Sequence, residues 1–385
     1  MEHVLHPGKK IVLIFSMLIC SVSLIHGQNK ADTLTEEMKT RIFNKLKNFT
    51  IGFYIDTYYN MTFGGKKDTS NVVPFSSNCP VHDQIRMNVA AFEVAYLAEK
   101  ARGKFVLQFG DAPNLLASPD EQFIKNLRQA NFGFRITKGL WIDFGYMLNP
   151  VGYESSWPVL NQLSTVTIGG YFEPGNILGV KLSCKFSEKF SGAIVYGNPY
   201  SLAYGKDIHA SGIITLTYTP LPNLTINYNN LFGNQALKDA QIKNNILYNN
   251  LITIYKPVKF LSIVGELDIA SQTNSTLPPD TTKIGTMVSA FLQARFIFNQ
   301  HFSLSLRGEV LNDPNGFLTD TYNINGKIQG LKSVGLTAGA EYRPFNSGYI
   351  RLEYRYLHAN SGNFVFYSKT SDYMEGLIFT TGLRF

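Results

Sequence analysis

After Ile25 this chain of 385 residues has no apolar run near the twenty residues a transmembrane helix needs. Cysteine is scarce, with three in all. Apart from Cys20, Cys79 falls in a long connection and Cys184 on an apolar strand row, too far apart for a disulfide framework. Tryptophan is nearly absent (2), and the formal charge of +7 contains no basic tract of the kind that grips nucleic acid. Past residue 27 the histidines are His82, His209, His301 and His358. None has a serine or cysteine beside it in an environment that would make a nucleophile, so the sequence reads as non-enzymatic. No dense acidic loop marks a metal site, Asn312-Asp313-Pro314-Asn315-Gly316 reading as a turn, and no cofactor motif is present.

What the chain does have is a rhythm. From Phe49 to Phe385, alternating apolar and polar segments are joined by connections that are by turns short and long. Short ones centre on Ala101-Arg102, Lys138-Gly139, Ser187-Glu188, Pro220-Leu221-Pro222, Pro257-Val258, Asn299-Gln300 and Phe345-Asn346, rich in turn formers. About sixteen segments of the length that crosses a bilayer as a tilted strand predict an all-β transmembrane fold. That fold is an antiparallel up-and-down β-barrel, with short periplasmic turns and long extracellular loops.

Parity supports the barrel. In Asn48–Phe63, Phe49, Ile51, Phe53, Ile55, Tyr59 and Met61 share one face, and Thr50, Gly52, Tyr54, Asp56, Tyr58 and Asn60 the other. The apolar rows carry essentially no charge, as lipid requires, since a mid-bilayer Arg or Lys costs about 2–4 kcal/mol. Phe190–Gly197 and Asn245–Tyr255 are apolar on both parities and leave the strand count open by two. The last strand ends on Phe385, resembling the signal read by barrel-insertion machinery.

Ahead of the barrel (48–385), Lys9, Lys10 and the apolar Ile11–Ile25 read as a secretory signal over residues 1–27. Ile19 is too bulky for the lipidation pattern that Cys20 would otherwise suggest. Residues 28–47 read as a short periplasmic segment, with Leu34, Met38, Ile42 and Leu46 at helical spacing, or as a plug.

Several segments resemble the putative beta-barrel porin-2 (OmpL-like) family, common among Bacteroidetes. They are Gly52–Tyr59, Leu127–Gly133, Leu140–Gly145, Val151–Ser155 and Gly179–Ser183. The resemblance implies an outer-membrane porin and leaves its solute open.

A sixteen-stranded barrel encloses an aqueous channel about 30 Å across its backbone. The candidate pore-lining charges are Asp56, Glu93, Arg135, Asp143, Lys181, Lys185, Glu266, Asp268, Arg295, Arg307, Glu309, Glu341, Arg343, Arg351, Glu353 and Arg355. Arg384 also falls on an inward row. Arg295, Arg307, Arg343, Arg351 and Arg355 cluster on C-terminal strands and form either an anion-attracting wall or cross-strand pairs with Glu309, Glu341 and Glu353. Inward Gly and Ser, among them Gly133, Ser305 and Gly339, predict room in the lumen. Asn149–Gly175 is the candidate constriction loop through Tyr153, Glu154, Trp157 and Glu173, the other reading being an outer loop packed on its neighbours. The expected function is passive diffusion of small hydrophilic solutes with a weak anion preference. The alternative is a plugged surface barrel that binds or adheres through its outer loops. Expected partners are outer-membrane lipid, the insertion machinery, small hydrophilic solutes and further copies in a homotrimer, with no nucleic acid.

Overall fold

A computed structural model describes residues 46–63, 71–116, 122–198, 208–324, 326–359 and 371–385. The expected signal (1–27) and almost all of the expected periplasmic segment (28–47) lie outside the described residues.

Sixteen antiparallel strands close into one barrel. In chain order they are β1 Phe49–Phe63, β2 Ile85–Leu97, β3 Ala101–Phe109, β4 Leu127–Thr137, β5 Leu140–Met147, β6 Ile177–Lys185, β7 Phe190–Gly197 and β8 Ser211–Leu221. There follow β9 Leu224–Asn234, β10 Asn245–Val258, β11 Leu261–Gln272, β12 Gly285–Ile297, β13 Phe302–Asn312, β16 Lys332–Phe345, β17 Gly348–Ala359 and β18 Tyr373–Arg384. The pair β14 Tyr322–Ile324 and β15 Lys327–Gln329 makes a separate hairpin in the connection between β13 and β16.

Every barrel strand pairs with its neighbours along the chain, and β18 returns to β1. Phe385 completes the closure. Its backbone exchanges hydrogen bonds with Phe53 at 2.7 and 3.0 Å, and the two rings stack with centroids 5.4 Å apart. Closure leaves no strand edge, which is the condition for placing a sheet in lipid.

The parity read from sequence is the parity observed. On β1, Tyr54, Asp56, Tyr58, Asn60 and Thr62 are buried inside, while Phe53 and Ile55 are exposed outside. Phe132, Phe134, Ile136, Ile194, Leu292 and Leu336 continue the exposed apolar exterior. Cys184 stands on this outer row and Cys79 is fully buried, both as free thiols.

Three short turns sit slightly away from their sequence placement. Ala98 N–H bonds Ala101 O, so the first turn closes before Ala101 and Arg102 belongs to β3. Pro220 and Pro257 lie within strands rather than at turns, because the register shifts at each of them. Proline, lacking an N–H, is accommodated in sheets at such bulges.

The two-sided apolar segments have a packing reason. Val195, Ile213, Leu231, Ile246, Tyr248, Ala270 and Met287 all point inward yet pack with Met147, Val151 and Ile177, and with Phe317 and Leu318. An inward apolar row is thus covered by connections that enter the barrel instead of facing water.

Candidate functional site

The connection between β5 and β6, residues 148–176, runs into the barrel. It carries a 3-10 turn at Pro158–Leu160 and one helical turn, α1, Ile168–Tyr171, capped by Thr167, whose Oγ1 accepts from Gly170 N–H at 3.0 Å. Wall carboxylates hold its backbone. Glu266 accepts Tyr153 N–H at 3.1 Å, Glu309 accepts Ile168 N–H at 2.7 Å, and Glu353 accepts from Ser164 N–H, Thr165 N–H (3.1 Å) and Thr165 Oγ1 (3.0 Å).

Wall guanidiniums take the loop's acceptors. Arg307 donates to Glu154 Oε1 and Thr165 O, both at 2.6 Å. Arg351 donates to Ser164 Oγ at 2.8 Å, Asn161 O at 3.1 Å and Pro158 O at 3.3 Å. Net contributions of about 1.5–3 kcal/mol per bond to a charged group make this a firm attachment. Across the lumen, Trp157 Nε1 donates to Gln108 at 3.0 Å and Val159 N–H to the Tyr54 hydroxyl at 3.2 Å.

The C-terminal basic residues are therefore paired, Arg307, Arg351 and Arg355 under cover, Arg295 and Arg343 partly exposed. Arg355 bonds Glu309 at 3.1 Å, Arg351 bonds Glu341 at 2.6 Å, and Glu341 also takes Arg295 (2.5 Å) and Arg343 (2.7 Å). Buried charges persist when partnered in this way and are costly when one partner is removed. Asp56, likewise buried, accepts from the Tyr349 hydroxyl. The small inward residues make space for the loop more than for water: a Cβ on Gly339 would collide with Leu163, and Ser305 Oγ bonds Gln162 O at 3.4 Å.

Near the loop's far root, Glu173 meets Glu266 and Asp268 with carboxylate oxygens within 4.8 Å of one another. Burial, and then the two neighbouring acids, push the Glu173 carboxyl well above its usual range. Asn250 Nδ2 bridges Glu266 and Asp268.

The opposite wall has a different charge balance. Arg102, Lys104, Arg135, Lys181, Lys185 and Arg384 point inward toward the short-turn side, and the acids that face them are Glu93 and Asp143, Asp56 on the intervening β1 being buried against Tyr349. Asp143 takes Arg102 (2.5 Å) and Lys181 (3.7 Å), and Glu93 takes Lys104 (3.3 Å) and Arg384 (3.7 Å). Arg135 pairs with Glu99, and Lys185 with Glu188, on exposed turns. Gly133 allows this arrangement, since a Cβ there would run into the Asp143 carboxylate. Exposure separates the two walls: the Arg102, Lys104, Lys181 and Arg384 side chains are 32–40% accessible, whereas Arg307, Arg351 and Arg355 are 0–3%.

Two cavities flank the loop. One of about 770 Å³ lies toward the short turns, lined by Gln162, Lys256, Arg295 and Arg343 among others. The other, about 700 Å³, is lined by Gln108, Lys125, Arg128, Glu173 and neighbours. Tyr153 and Leu160 line both.

Sequence reading missed Arg102, Lys104, Arg128 and Trp141 on the inner wall. Arg102 was hidden by a turn placed on top of it. Lys104 shares its parity on β3, and Trp141 lies under the Arg102 guanidinium at 4.4 Å. Arg128 turns inward because the register shifts between Val106 and Leu107, opposite it on β3, which no alternation count reveals.

Residues 48–385 match the family model described as putative beta-barrel porin-2, OmpL-like. No match is found among curated protein sequences. Among solved structures, the chain is similar to the outer membrane channel DcaP of Acinetobacter baumannii (TM-score 0.61, 11% identity, covering 88% of this chain and 97% of that one). It is also similar to Salmonella typhi OmpF in complex with daunomycin (0.57, 12%, 88% and 97%) and to an anion-selective porin from Comamonas acidovorans (0.55, 11%, 88% and 99%). At these identities the likeness is one of fold.

Proposed function

This chain belongs to the putative beta-barrel porin-2, OmpL-like family and is an outer-membrane porin, and from that premise we propose that it passes small hydrophilic solutes by passive diffusion with a weak preference for anions. The observation that carries the preference is the contrast between the walls. Arg307, Arg351 and Arg355 are neutralised under the loop and the partly exposed Arg295 and Arg343 share Glu341, while the more accessible wall of β3–β6 and β18 presents more basic than acidic groups. Charged rings and patches of one sign select the opposite ion in pores.

In this reading, residues 148–176 form the constriction, with the neck at Tyr153 and Leu160, which both cavities share. The proposed partners are outer-membrane lipid on the apolar rows, the insertion machinery at the strand ending in Phe385, and two further copies in a homotrimer. No chemical step and no cofactor enter. A second reading, a plugged barrel that binds through its outer loops, is favoured by the filling of the C-terminal half of the lumen with paired side chains.

Single-channel recording of the folded protein in a planar bilayer, with the reversal potential under a salt gradient, separates the two. Stable open steps with a small anion-side shift are expected. Absence of conductance from correctly folded protein overturns the porin reading and favours the plugged barrel.

A further inference from the structure

Ten arginines fall among the described residues, and nine of them have a carboxylate within salt-bridge distance. Arg128 is the exception among those residues. It is only 5% exposed. Its Nη1 donates to Ser156 Oγ and its Nη2 to Ser155 Oγ at 3.1 Å, two neutral acceptors, and its guanidinium carbon lies 4.4 Å from the centroid of the Trp157 ring. Five N–H groups on a guanidinium leave three beyond these bonds.

Among the described residues no carboxylate stands within salt-bridge distance of Arg128, and the acids around it are engaged elsewhere. Arg384, itself positive, sits over the same Trp157 ring at 5.9 Å. Glu93 is engaged by both Lys104 and Arg384. Within the 700 Å³ cavity that Arg128 lines, Glu154 is bound to Arg307. Glu173 there is held toward its protonated form by burial and by Glu266 and Asp268. Lys125 adds a second positive charge to the same cavity.

A buried charge without a counterion costs several kcal/mol, and a guanidinium edge presents two parallel N–H groups that match the two oxygens of a carboxylate. We infer that Arg128 forms a binding site for small carboxylate solutes on the pore path, held in place by Trp157, Ser155 and Ser156 of the inserted loop. One guanidinium without a backbone N–H cradle suits a planar monoanion better than a phosphate dianion. Because Ser155, Ser156 and Trp157 all belong to the loop, occupancy of the site also steadies the loop. This site rests on the porin reading and gives it a solute class.

The test is current block in a planar bilayer with benzoate as probe, benzamide as its uncharged isostere and sulfate as a non-carboxylate anion. Wild-type channels opened in chloride are expected to show concentration-dependent block by benzoate and none by benzamide. Arg128→Gln should raise the half-blocking benzoate concentration at least tenfold. Arg128→Lys, which keeps the charge and loses the planar fork, should raise it several-fold while leaving the sign of the reversal potential in chloride as in wild type. Three results overturn the site: no benzoate block in conducting wild-type channels, equal block in wild type and Arg128→Gln, or block by sulfate as strong as by benzoate and equally sensitive to Arg128→Gln. Wild-type protein that never opens in chloride is a separate failure, that of the porin reading itself.

Discussion

Glu353→Gln tests the attachment of the inserted loop. Glu353 is fully buried and accepts three donors from the loop: Ser164 N–H, Thr165 N–H at 3.1 Å and Thr165 Oγ1 at 3.0 Å. Glutamine preserves the volume but retains one acceptor oxygen, and its NH₂ group then faces donors. With its amide oxygen in the Oε2 position, glutamine keeps both Thr165 donors and loses the Ser164 bond, at about 1.5–3 kcal/mol for a bond to a charged group. Arg307, Glu309 and Glu266 continue to hold the loop elsewhere, so the lower end, about 1.5 kcal/mol, is the expected loss of docking free energy. At 1.4 kcal/mol per factor of ten, the undocked population rises about tenfold. The assay is the rate of brief conductance changes in single-channel records at fixed voltage, where the variant should flicker about ten times more often than wild type. Folding is checked by the temperature at which the barrel loses its compact gel mobility. A folded Glu353→Gln channel whose flicker lies within threefold of wild type would refute the attachment argument.

Replacing Arg102, Lys104 and Lys181 together by glutamine removes accessible positive charge and should move the reversal potential toward the cation side, with the barrel still folded. By contrast, Arg351→Met should act on stability more than on selectivity. It takes from Glu341 one of its three guanidinium partners and leaves the Pro158 and Asn161 carbonyls without their donor, a loss of about 3 kcal/mol, the lower end for breaking a buried pair, read as a lower temperature of the gel-mobility shift. For Glu173 the sign follows from its raised pKa: the docked loop binds the proton more tightly than the free chain does. Docking is therefore strongest below the ordinary value near 4.5 and weakens as pH rises through the raised one, so flicker should grow with pH and Glu173→Gln should flatten that dependence. Leu160→Trp should lower the conductance and the size of the largest polyethylene glycol that enters, whereas an unchanged cut-off would move the neck away from Leu160.

Much of this architecture is legible along the chain because its causes are local. A period of two follows from the pleat of a single strand, so the inward rows of β1, β6, β13 and β17 can be read segment by segment. The alternation of short turns and long connections gives the barrel's two rims in the same way. The paired, covered state of Arg307 and Arg351 is not local. Arg307 meets Glu154 across 153 positions, and Ser164 meets Glu353 across 189. Parity places all these side chains inside without saying which are wet.

What the sequence alone determined is therefore the barrel, its membrane, its faces and the segment 149–175 as the richest aromatic loop. What only the tertiary structure decided is where the free charge lies. When that loop enters the lumen it brings acceptors to the C-terminal arginines and fills the space beside Gly339 and Ser305. It leaves the wall of Arg102, Lys104 and Lys181 open, and it buries Arg128 beside Trp157. The electrostatic effect of a charge depends on its partners and its exposure to water, and both are set by contacts between residues far apart in the chain.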